Sequence, residues 1–254
     1  ISLEAPESGD VIDWGYTSAP AGFQRILSGT YDVVYRHAAG NSIVPANERA
    51  TVATDLSIEP PSIPNELSFS EIDIESHALT LEVLLDGQAF PLSAYEFGDL
   101  VLVGEAGDVV HVGGTHEVAH VVQVVGGRYD LHYRHVAGNQ IVPWNKDVAV
   151  ASGIRVTQDA SVDVAIETIE IQIEALLDGQ PFPASAYERG DLTLLGALPN
   201  DRIEVGSTSA GAHTVRLAPG DYDLEYDHVA GSSIVPRNKH QLLATDLPFL
   251  RGGV

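Results

Sequence analysis

The sequence predicts an all-β protein made of tandem antiparallel β-sandwich domains, with about seven strands in each and the first domain incomplete. Three observations support this fold class. A motif at residues 129–145 recurs at residues 31–47 and 222–238, so the chain is repetitive. Apolar and polar residues alternate with the period of two that is typical of half-buried strands, and no stretch has a convincing helical period. Turns rich in glycine, proline and aspartate separate these stretches at intervals of roughly 8 to 12 residues, as in sandwiches.

The spacing of the copies sets the domain organisation. Tyr31, Tyr129 and Tyr222 begin them, and a period of roughly 90 to 100 residues is that of whole domains rather than of a solenoid. The prediction is an incomplete first repeat, a linker and two further repeats: residues 1–58, 59–66, 67–156 and 157–254. The linker contains several prolines, whereas only the short polar stretch 157–160 separates the second and third repeats, so we expect those two to be closely coupled.

The first repeat lacks its opening hairpin. A gap-free alignment places residues 1–4 opposite residues 99–102, so the block at 84–100, which is repeated at 176–192, has no counterpart there. A sandwich without its first strands exposes a sheet edge and part of its core. Three explanations are open: the chain is a piece of a longer one, another molecule donates the missing strands, or this repeat is a smaller stable variant.

The first strand and turn of the later repeats follow from alternation. Residues 79–85 and 169–174 alternate apolar and polar side chains, which predicts strands with one dry and one mostly wet face. Asp86-Gly87 and Asp178-Gly179 are hairpin-type turn dipeptides. Gly126-Gly127 then turns the second repeat into its tyrosine-rich strand.

The tyrosine-rich strand at the start of the motif, called the Tyr strand below, has a predicted inner and outer face. In the second repeat the inner face carries Tyr129, Leu131, Tyr133 and His135, and the outer face carries Asp130, His132 and Arg134. The inner tyrosine hydroxyls need partners, and nearby asparagines and backbone carbonyls are the candidates. The closing Val-Pro-x-Asn segment is predicted to be a strand start or an edge turn, because proline cannot donate to a central ladder.

These residues carry a resemblance to a known group of folds. A strand, an Asp-Gly-Gln-x-Phe-Pro block at residues 86–91 and 178–183, and a Pro-Gly-Asp-Tyr-Asp-Leu strand at 219–224 follow one another in order. This order resembles the prealbumin-like β-sandwich repeats of carboxypeptidase regulatory-like and collagen-adhesin B-type domains of secreted bacterial proteins. The likeness covers the second and third repeats and the second half of the first. It implies a stalk, an adhesin, a matrix protein or a module appended to an enzyme.

The composition narrows the classes of partner and the compartment. With 36 acidic and 13 basic residues the formal net charge is -23, which repels nucleic-acid phosphates and anionic membrane surfaces. Cysteine is absent, so disulfides and thiolate metal sites are excluded. No apolar run approaches the ~20 residues that span a bilayer. The sequence starts at Ile1 without an initiator methionine or a leader, and we expect a processed or trimmed soluble chain that is secreted or displayed at the cell surface.

One stretch matches a catalytic motif. His116, Glu117 and His120 have the H-E-x-x-H spacing of zinc proteases, in which a helix brings both imidazoles to one metal ion. Here the flanking residues are those of a turn and a strand, and on a strand residues four apart lie ~13 Å from each other. The favoured interpretation is a chance match, and no catalytic residue is predicted.

Other candidate ligands are scattered. His37, His135 and His228 each end a Tyr strand, but no second histidine accompanies them in all three repeats, so a hydrogen-bonded core or rim role is favoured. The second repeat adds a group at which adventitious zinc or copper binding is the alternative: His111, His116, His120 and His132. The acidic loops lack a calcium-loop motif, and solvated turns are the favoured interpretation.

A covalent crosslink is disfavoured. Collagen-adhesin-type repeats sometimes carry a Lys-to-Asn isopeptide bond with a nearby acid. Lys146 and Lys239 directly follow Asn145 and Asn238, and adjacent residues cannot be partners on opposing strands.

We therefore expect a non-enzymatic extracellular structural protein, a rod- or fibre-forming subunit that self-associates through strand edges and uses no cofactor or metal. Strand donation to the incomplete first repeat is one expected mode of assembly. The alternative is a carbohydrate- or protein-binding adhesion module of a larger secreted protein, with Trp14, Tyr16 and Trp144 as aromatic platforms. A metalloprotease is the third and least favoured hypothesis.

Overall fold

The computed structural model describes residues 1–18, 25–40, 43–59, 71–117, 119–231 and 233–250. The predicted linker, residues 59–66, lies outside them except for Glu59. The strands of the first repeat are β1 (Ser2–Glu4), β2 (Val11–Asp13), β3 (Gly29–Tyr35) and β4 (Ala50–Ile58). Those of the second are β5 (Ser76–Leu85), β6 (Gln88–Ala89), β7 (Phe97–Gly104), β8 (Val109–Gly114), β9 (His120–Val125), β10 (Gly127–Ala137), β11 (Val148–Val156) and β12 (Ala160–Ile166). Those of the third are β13 (Ile169–Ile173), β14 (Leu176–Leu177), β15 (Gln180–Pro181), β16 (Arg189–Leu195), β17 (Arg202–Ser207), β18 (His213–Leu217), β19 (Gly220–Ala230) and β20 (Gln241–Phe249).

The second repeat is a β-sandwich. One sheet has the strand order β11-β10-β7-β8, and in the other β5 pairs with β12 on one edge and with β9 and β6 on the opposite edge. Leu79 from β5 faces Leu102 from β7 and Leu131 from β10 in a shared core, and all three side chains are fully buried. The predicted all-β fold class is confirmed.

The strand β12 joins the sheet of the second repeat. It runs parallel to β5, from Ala160 opposite Leu79 to Ile166 opposite Leu85. Val164 and Ile166 are buried in the second core, whereas the intervening Ala165 is exposed, as the period of two requires. The repeat spacing had placed residues 157–254 in the third repeat, whereas β12 belongs to a sheet of the second repeat.

The third repeat uses the same order in its larger sheet, β17-β16-β19-β20. Opposite this sheet, β13 pairs with β18, and the short β14-β15 hairpin carries the predicted Asp178-Gly179 turn. Both turn residues have positive φ, which glycine and, less readily, aspartate tolerate. Among the described residues no strand pairs with the free edge of β13, whereas its counterpart β5 has β12 there.

The described part of the first repeat forms one sheet, with the order β2-β1-β3-β4. Leu3 lies opposite Val33 just as Leu102 lies opposite Leu131, so residues 1–4 correspond to residues 100–103. The gap-free alignment is therefore wrong by one residue at this strand. The additional residue lies in the loop before Asp10, which still closes with a bond from the Ala5 N–H to the Asp10 carbonyl at 2.8 Å.

The Tyr strand has the predicted inner face. Tyr129, Leu131 and Tyr133 are buried, and His135 is half-buried. His132, which the alternation places on the outer face, is only 8% exposed. Its Nδ1 lies 2.7 Å from Asp147 Oδ1, so the pair satisfies its own polar atoms beneath the surface.

The described residues contain one three-residue 3-10 turn, Thr208–Ala210, and no membrane-spanning helix.

Candidate functional site

The Pro-x-Asn segment that closes each motif projects from its own repeat toward the next. We call residues 45–47, 143–145 and 236–238 the plugs. In the second repeat the Tyr133 hydroxyl donates to the Pro143 carbonyl at 3.0 Å, and the His135 N–H donates to the Asn145 carbonyl at 2.8 Å. Because these bonds are made to the Tyr strand of the plug's own repeat, the loop is held in place without entering a sheet ladder.

The first and second plugs each face a socket on the following repeat. A socket consists of the aspartate before the second strand of the larger sheet, the first tyrosine of the Tyr strand, and the backbone of the residue four positions before that tyrosine. The sockets are Asp108, Tyr129 and Val125 in the second repeat, and Asp201, Tyr222 and Ala218 in the third.

In the joint between the second and third repeats, Asn145 is completely buried. Its Nδ2 donates to Asp201 Oδ2 and to the Tyr222 hydroxyl, both at 2.8 Å. Its Oδ1 accepts from the Ala218 N–H at 2.8 Å. The Tyr222 hydroxyl donates a hydrogen bond to the Ala218 carbonyl at 2.7 Å. The asparagine therefore has both amide hydrogens and its carbonyl oxygen engaged by the next repeat.

The joint between the first and second repeats repeats this arrangement. Asn47 is also completely buried, and its Nδ2 donates to Asp108 and, at 3.0 Å, to the Tyr129 hydroxyl. Its Oδ1 accepts from the Val125 N–H at 2.8 Å. The predicted proline-rich linker implied looser coupling here, but the same hydrogen bonds hold both pairs of repeats.

The backbone of the plug adds a strand-like contact. The Ala46 N–H donates to the Gln123 carbonyl at 2.8 Å, and the Trp144 N–H donates to the Arg216 carbonyl at 2.9 Å. Both acceptors lie on the strand that precedes the Tyr strand, so the plug pairs briefly with its edge. The middle side chains of the first two plugs, Ala46 and Trp144, also pack on the core of the next repeat.

Burial changes the acid–base behaviour of the sockets. Loss of solvent raises the pKa of Asp108 and of Asp201, although the asparagine amides that donate to them act in the opposite direction. Burial also raises the pKa of Tyr129 and of Tyr222 to about 12, so both hydroxyls stay protonated at neutral pH and keep donating. The asparagine, aspartate and tyrosine side chains of each joint thus form a buried hydrogen-bonded network.

The side chain at the centre of the second plug is Trp144, one of the candidate aromatic platforms of the binding hypothesis. It is half-buried and packs against the core of the third repeat. Trp14 and Tyr16 are exposed, at 39% and 73%. Among the described residues, the large exposed aromatics also include Tyr95 and Tyr187, at equivalent turns of the two complete repeats.

The H-E-x-x-H motif lies on a turn and a strand, as predicted. His116 and Glu117 are in the turn after β8, and His120 is the first residue of β9. Glu117 Oε1 accepts from the Gly114 N–H at 3.1 Å, and the His116 ring packs edge-on against Phe97. Burial lowers the pKa of His120. The motif thus closes a turn on the rim of the second sandwich.

The histidines that end the Tyr strands have the predicted rim role. His135 Nε2 lies 2.7 Å from the Gly138 carbonyl, and His228 Nε2 lies 2.9 Å from the Gly231 carbonyl. His37 uses Nδ1 instead, 2.9 Å from the Pro45 carbonyl. The Lys146 ammonium group lies 3.3 Å from His135 Nδ1.

A group of potential metal ligands on the outer face of the third repeat comprises Glu225, Asp227 and His240. The Arg202 guanidinium group already pairs with Glu225 at 2.5 Å, so a cationic partner is built into the cluster. We interpret it as an ion-pair network of the kind that His132 and Asp147 form at the equivalent position in the second repeat.

The joints were the main feature that sequence reasoning missed. An aspartate and an asparagine occupy the same positions in all three repeats, while their neighbours vary. The aspartates are at 10, 108 and 201, and the asparagines are at 47, 145 and 238. A polar residue that is the same in all repeats beside residues that vary was the available signal for the joints. The sequence of one repeat does not indicate that the partner of this residue lies in the next repeat.

No family model matches the chain, and no curated protein does. Among solved structures, similarity is found to the Bacillus anthracis TIE protein, with 9% identity over 70% of this chain and a TM-score of 0.25; the match spans only 32% of that protein. A streptococcal ancillary pilin has 13% identity over 87% of this chain and 73% of the pilin, with a TM-score of 0.26. A Bacteroides thetaiotaomicron protein described as polysaccharide-binding has 8% identity over 60% of this chain and 76% of that protein, with a TM-score of 0.25. At these scores the likenesses carry no argument about function.

Proposed function

We propose that the chain is a non-enzymatic structural module of an extracellular or cell-surface protein, in which successive β-sandwiches are locked end to end into a rod. The observation that carries this proposal is the repetition of one joint. Asn47 and Asn145, from different repeats, engage the aspartate, the tyrosine and a backbone N–H of the following repeat. A joint that recurs with the same bonds gives each repeat the same attachment to its neighbour, as an extended module requires.

The chemistry of the joints favours a mechanical role over a catalytic one. Both asparagines are completely buried, and their amide groups bond to protein atoms on every side. Separation of the repeats replaces these hydrogen bonds by bonds to water, at a net cost of about 0.5–1.5 kcal/mol for each bond. The same groups therefore resist bending of one repeat against the next.

Assembly through strand edges is part of the proposal. Within the described residues β13 has an unpaired edge, whereas the equivalent strand β5 carries β12 along that edge. An edge of this kind accepts a strand from a neighbouring molecule by β-augmentation. The single sheet of the first repeat, with Leu3 and Val33 in its core, is the second place where a donated strand would complete a sandwich.

Small-angle X-ray scattering at low protein concentration tests the rod. We expect the wild-type particle to be elongated, with one well-defined maximum dimension. The double variant Asn47→Ala, Asn145→Ala should give the scattering profile of flexibly joined repeats, which lacks one well-defined maximum dimension. Asn238→Ala, which changes an exposed asparagine of the same motif, is the matched control. A wild-type chain as flexible as the double variant would refute the rod.

A second candidate function, adhesion to a glycan or protein, is favoured by Tyr95 and Tyr187. Their side chains are 85% and 83% exposed at equivalent turns of the two complete repeats. Exposed tyrosines offer a flat apolar ring with a polar tip, a combination that is enriched at recognition surfaces. Glycan-array binding that is lost in the variant Tyr95→Ala, Tyr187→Ala would support this function, and binding that is absent, or equal in both proteins, would exclude these residues from it.

A further inference from the structure

The plug of the third repeat is formed, but among the described residues its Asn238 side chain makes no hydrogen bond to another repeat. The Tyr226 hydroxyl donates to the Pro236 carbonyl at 2.8 Å, and the His228 N–H donates to the Asn238 carbonyl at 2.9 Å, as in the two plugs that are docked. Asn238 is nevertheless exposed, and so is Pro236, whereas the docked plugs have both residues buried. Among the described residues, the Asn238 side chain has one partner, Gln241 Oε1 at 3.3 Å.

The first repeat carries a socket of the same construction. The Tyr31 hydroxyl donates to the Leu27 carbonyl at 2.9 Å, matching the tyrosine bonds of the two occupied sockets. Asp10 directly precedes β2, as Asp108 directly precedes β8, and among the described residues its carboxylate accepts only from Ser8. Asp10 is exposed, and Leu27 is 83% exposed, whereas the aspartates of the occupied sockets are buried.

The charges around the two surfaces are complementary. Exposed Arg237 and Lys239 lie on either side of Asn238 in the third plug. The loop of the first socket carries the exposed acidic residues Glu7 and Asp10. The chain has a net charge of -23, and a basic plug is attracted to acidic surfaces such as this socket loop.

We propose that the plug at residues 236–238 docks into the socket formed by Asp10, Tyr31 and Leu27 of a second copy of this chain, so that copies associate head to tail. Asn238 Nδ2 then donates to the Asp10 carboxylate and to the Tyr31 hydroxyl, and the Leu27 N–H donates to Asn238 Oδ1. A head-to-tail contact between two different surfaces does not close on itself as an isologous dimer does, and it generates an open linear assembly. This inference rests on the proposed rod and extends the internal joints to the contact between molecules.

The test is sedimentation velocity of the intact chain over a concentration series up to about 1 mM, a range that detects weak contacts. We expect the wild type to form a ladder of dimers and longer oligomers. Asn238→Ala should weaken association by at least about tenfold, because the docked complex loses the three hydrogen bonds of this asparagine. Gln241→Ala is the control, because it removes only the neighbour of Asn238 within its own repeat. A wild-type chain that stays monomeric, or a variant Asn238→Ala that associates as strongly, overturns the proposal.

Mixing two variants tests which surfaces meet. Asn238→Ala keeps a functional socket, and Asp10→Ala keeps a functional plug, so each alone should stay monomeric while the mixture forms a one-to-one dimer. No dimer in the mixture contradicts the pairing of these two surfaces. Circular dichroism checks that both variants fold. If Asp10→Ala does not fold, the concentration series with Asn238→Ala still tests the proposal, because Asn238 is at an exposed position. The rigidity of the monomer, which small-angle scattering measures, depends on Asn47 and Asn145 and not on Asn238 or Asp10. A failure of docking therefore leaves the scattering of the monomer unchanged, whereas a failure of the rod changes it.

Discussion

The side-chain amide nitrogen of Asn145 lies 2.8 Å from the hydroxyl oxygen of Tyr222, although the two residues belong to consecutive repeats. Asn47 and Tyr129 have the same relationship at 3.0 Å. Tyr222 is also a core residue of its own sandwich, so the asparagine is hydrogen-bonded to a side chain of the next repeat's core. The stability of one repeat is therefore coupled to the position of the other.

Asn145→Ala should destabilise the third repeat by about 2–4 kcal/mol, because Asp201 and the Ala218 N–H lose their buried partner. Denaturant unfolding followed by circular dichroism measures the change in the free energy of unfolding. Asn238→Ala is the matched control, and it should change this free energy by less than about 0.5 kcal/mol, since Asn238 is exposed. Equal effects of the two substitutions would mean that the buried network adds nothing.

The sandwich could be predicted from the sequence because its determinants are local. Alternation identified the inner face of the Tyr strand, and Asp-Gly dipeptides identified the hairpins. The buried state of His132 was not predictable, since it depends on Asp147, whose side chain reaches the same place from a different segment. The joints escaped for the same reason: Asn145 and Asp201 are far apart in sequence, and neither has a local pattern that names the other.

The pH dependence of stability should carry the signature of Asp201. Burial raises its pKa above the ordinary value of 3.8, so the folded state binds this proton more tightly than the unfolded state does. Its contribution to the free energy of unfolding is fully present below pH 3.8 and is lost as the pH rises through the folded-state pKa.

Asp201→Asn removes this contribution. The free energy of unfolding of the wild type relative to the variant should therefore decline as the pH rises from about 3.8 through the folded-state pKa of Asp201. Denaturant titrations of both proteins at a series of pH values provide the measurement. A constant difference between the two curves would show that Asp201 has the same pKa in the folded and unfolded states.

Tyr222→Phe should cost about 1–2 kcal/mol of unfolding free energy, because its hydroxyl both accepts from Asn145 and donates to the Ala218 carbonyl. Tyr31→Phe is the comparison in the first repeat, where the hydroxyl makes one bond among the described residues, to the Leu27 carbonyl. We expect the smaller effect there. Thermal unfolding of both variants decides the order, and a larger effect of Tyr31→Phe would contradict the assignment of the Tyr222 hydroxyl to the joint.

Trp144→Ala should weaken the joint by about 1–2 kcal/mol through loss of apolar contact with the third core, whereas Trp144→Phe should restore most of that stability. Tryptophan fluorescence during unfolding follows the environment of this side chain, with Trp14 as the second emitter. If Trp144 were instead a recognition platform, its removal would abolish ligand binding and leave the unfolding free energy unchanged.

The most direct measurement is the distribution of distances across one joint. The chain has no cysteine, so Ala94→Cys and Ala186→Cys, at equivalent exposed turns of the second and third repeats, allow two spin labels to be attached specifically. Pulsed electron paramagnetic resonance should give one narrow distance distribution for this labelled protein. Asn145→Ala should broaden it, and Asn238→Ala should leave it narrow. A distribution that is broad with Asn145 in place, or unchanged when Asn145 is replaced, would contradict the claim that this asparagine locks the repeats together.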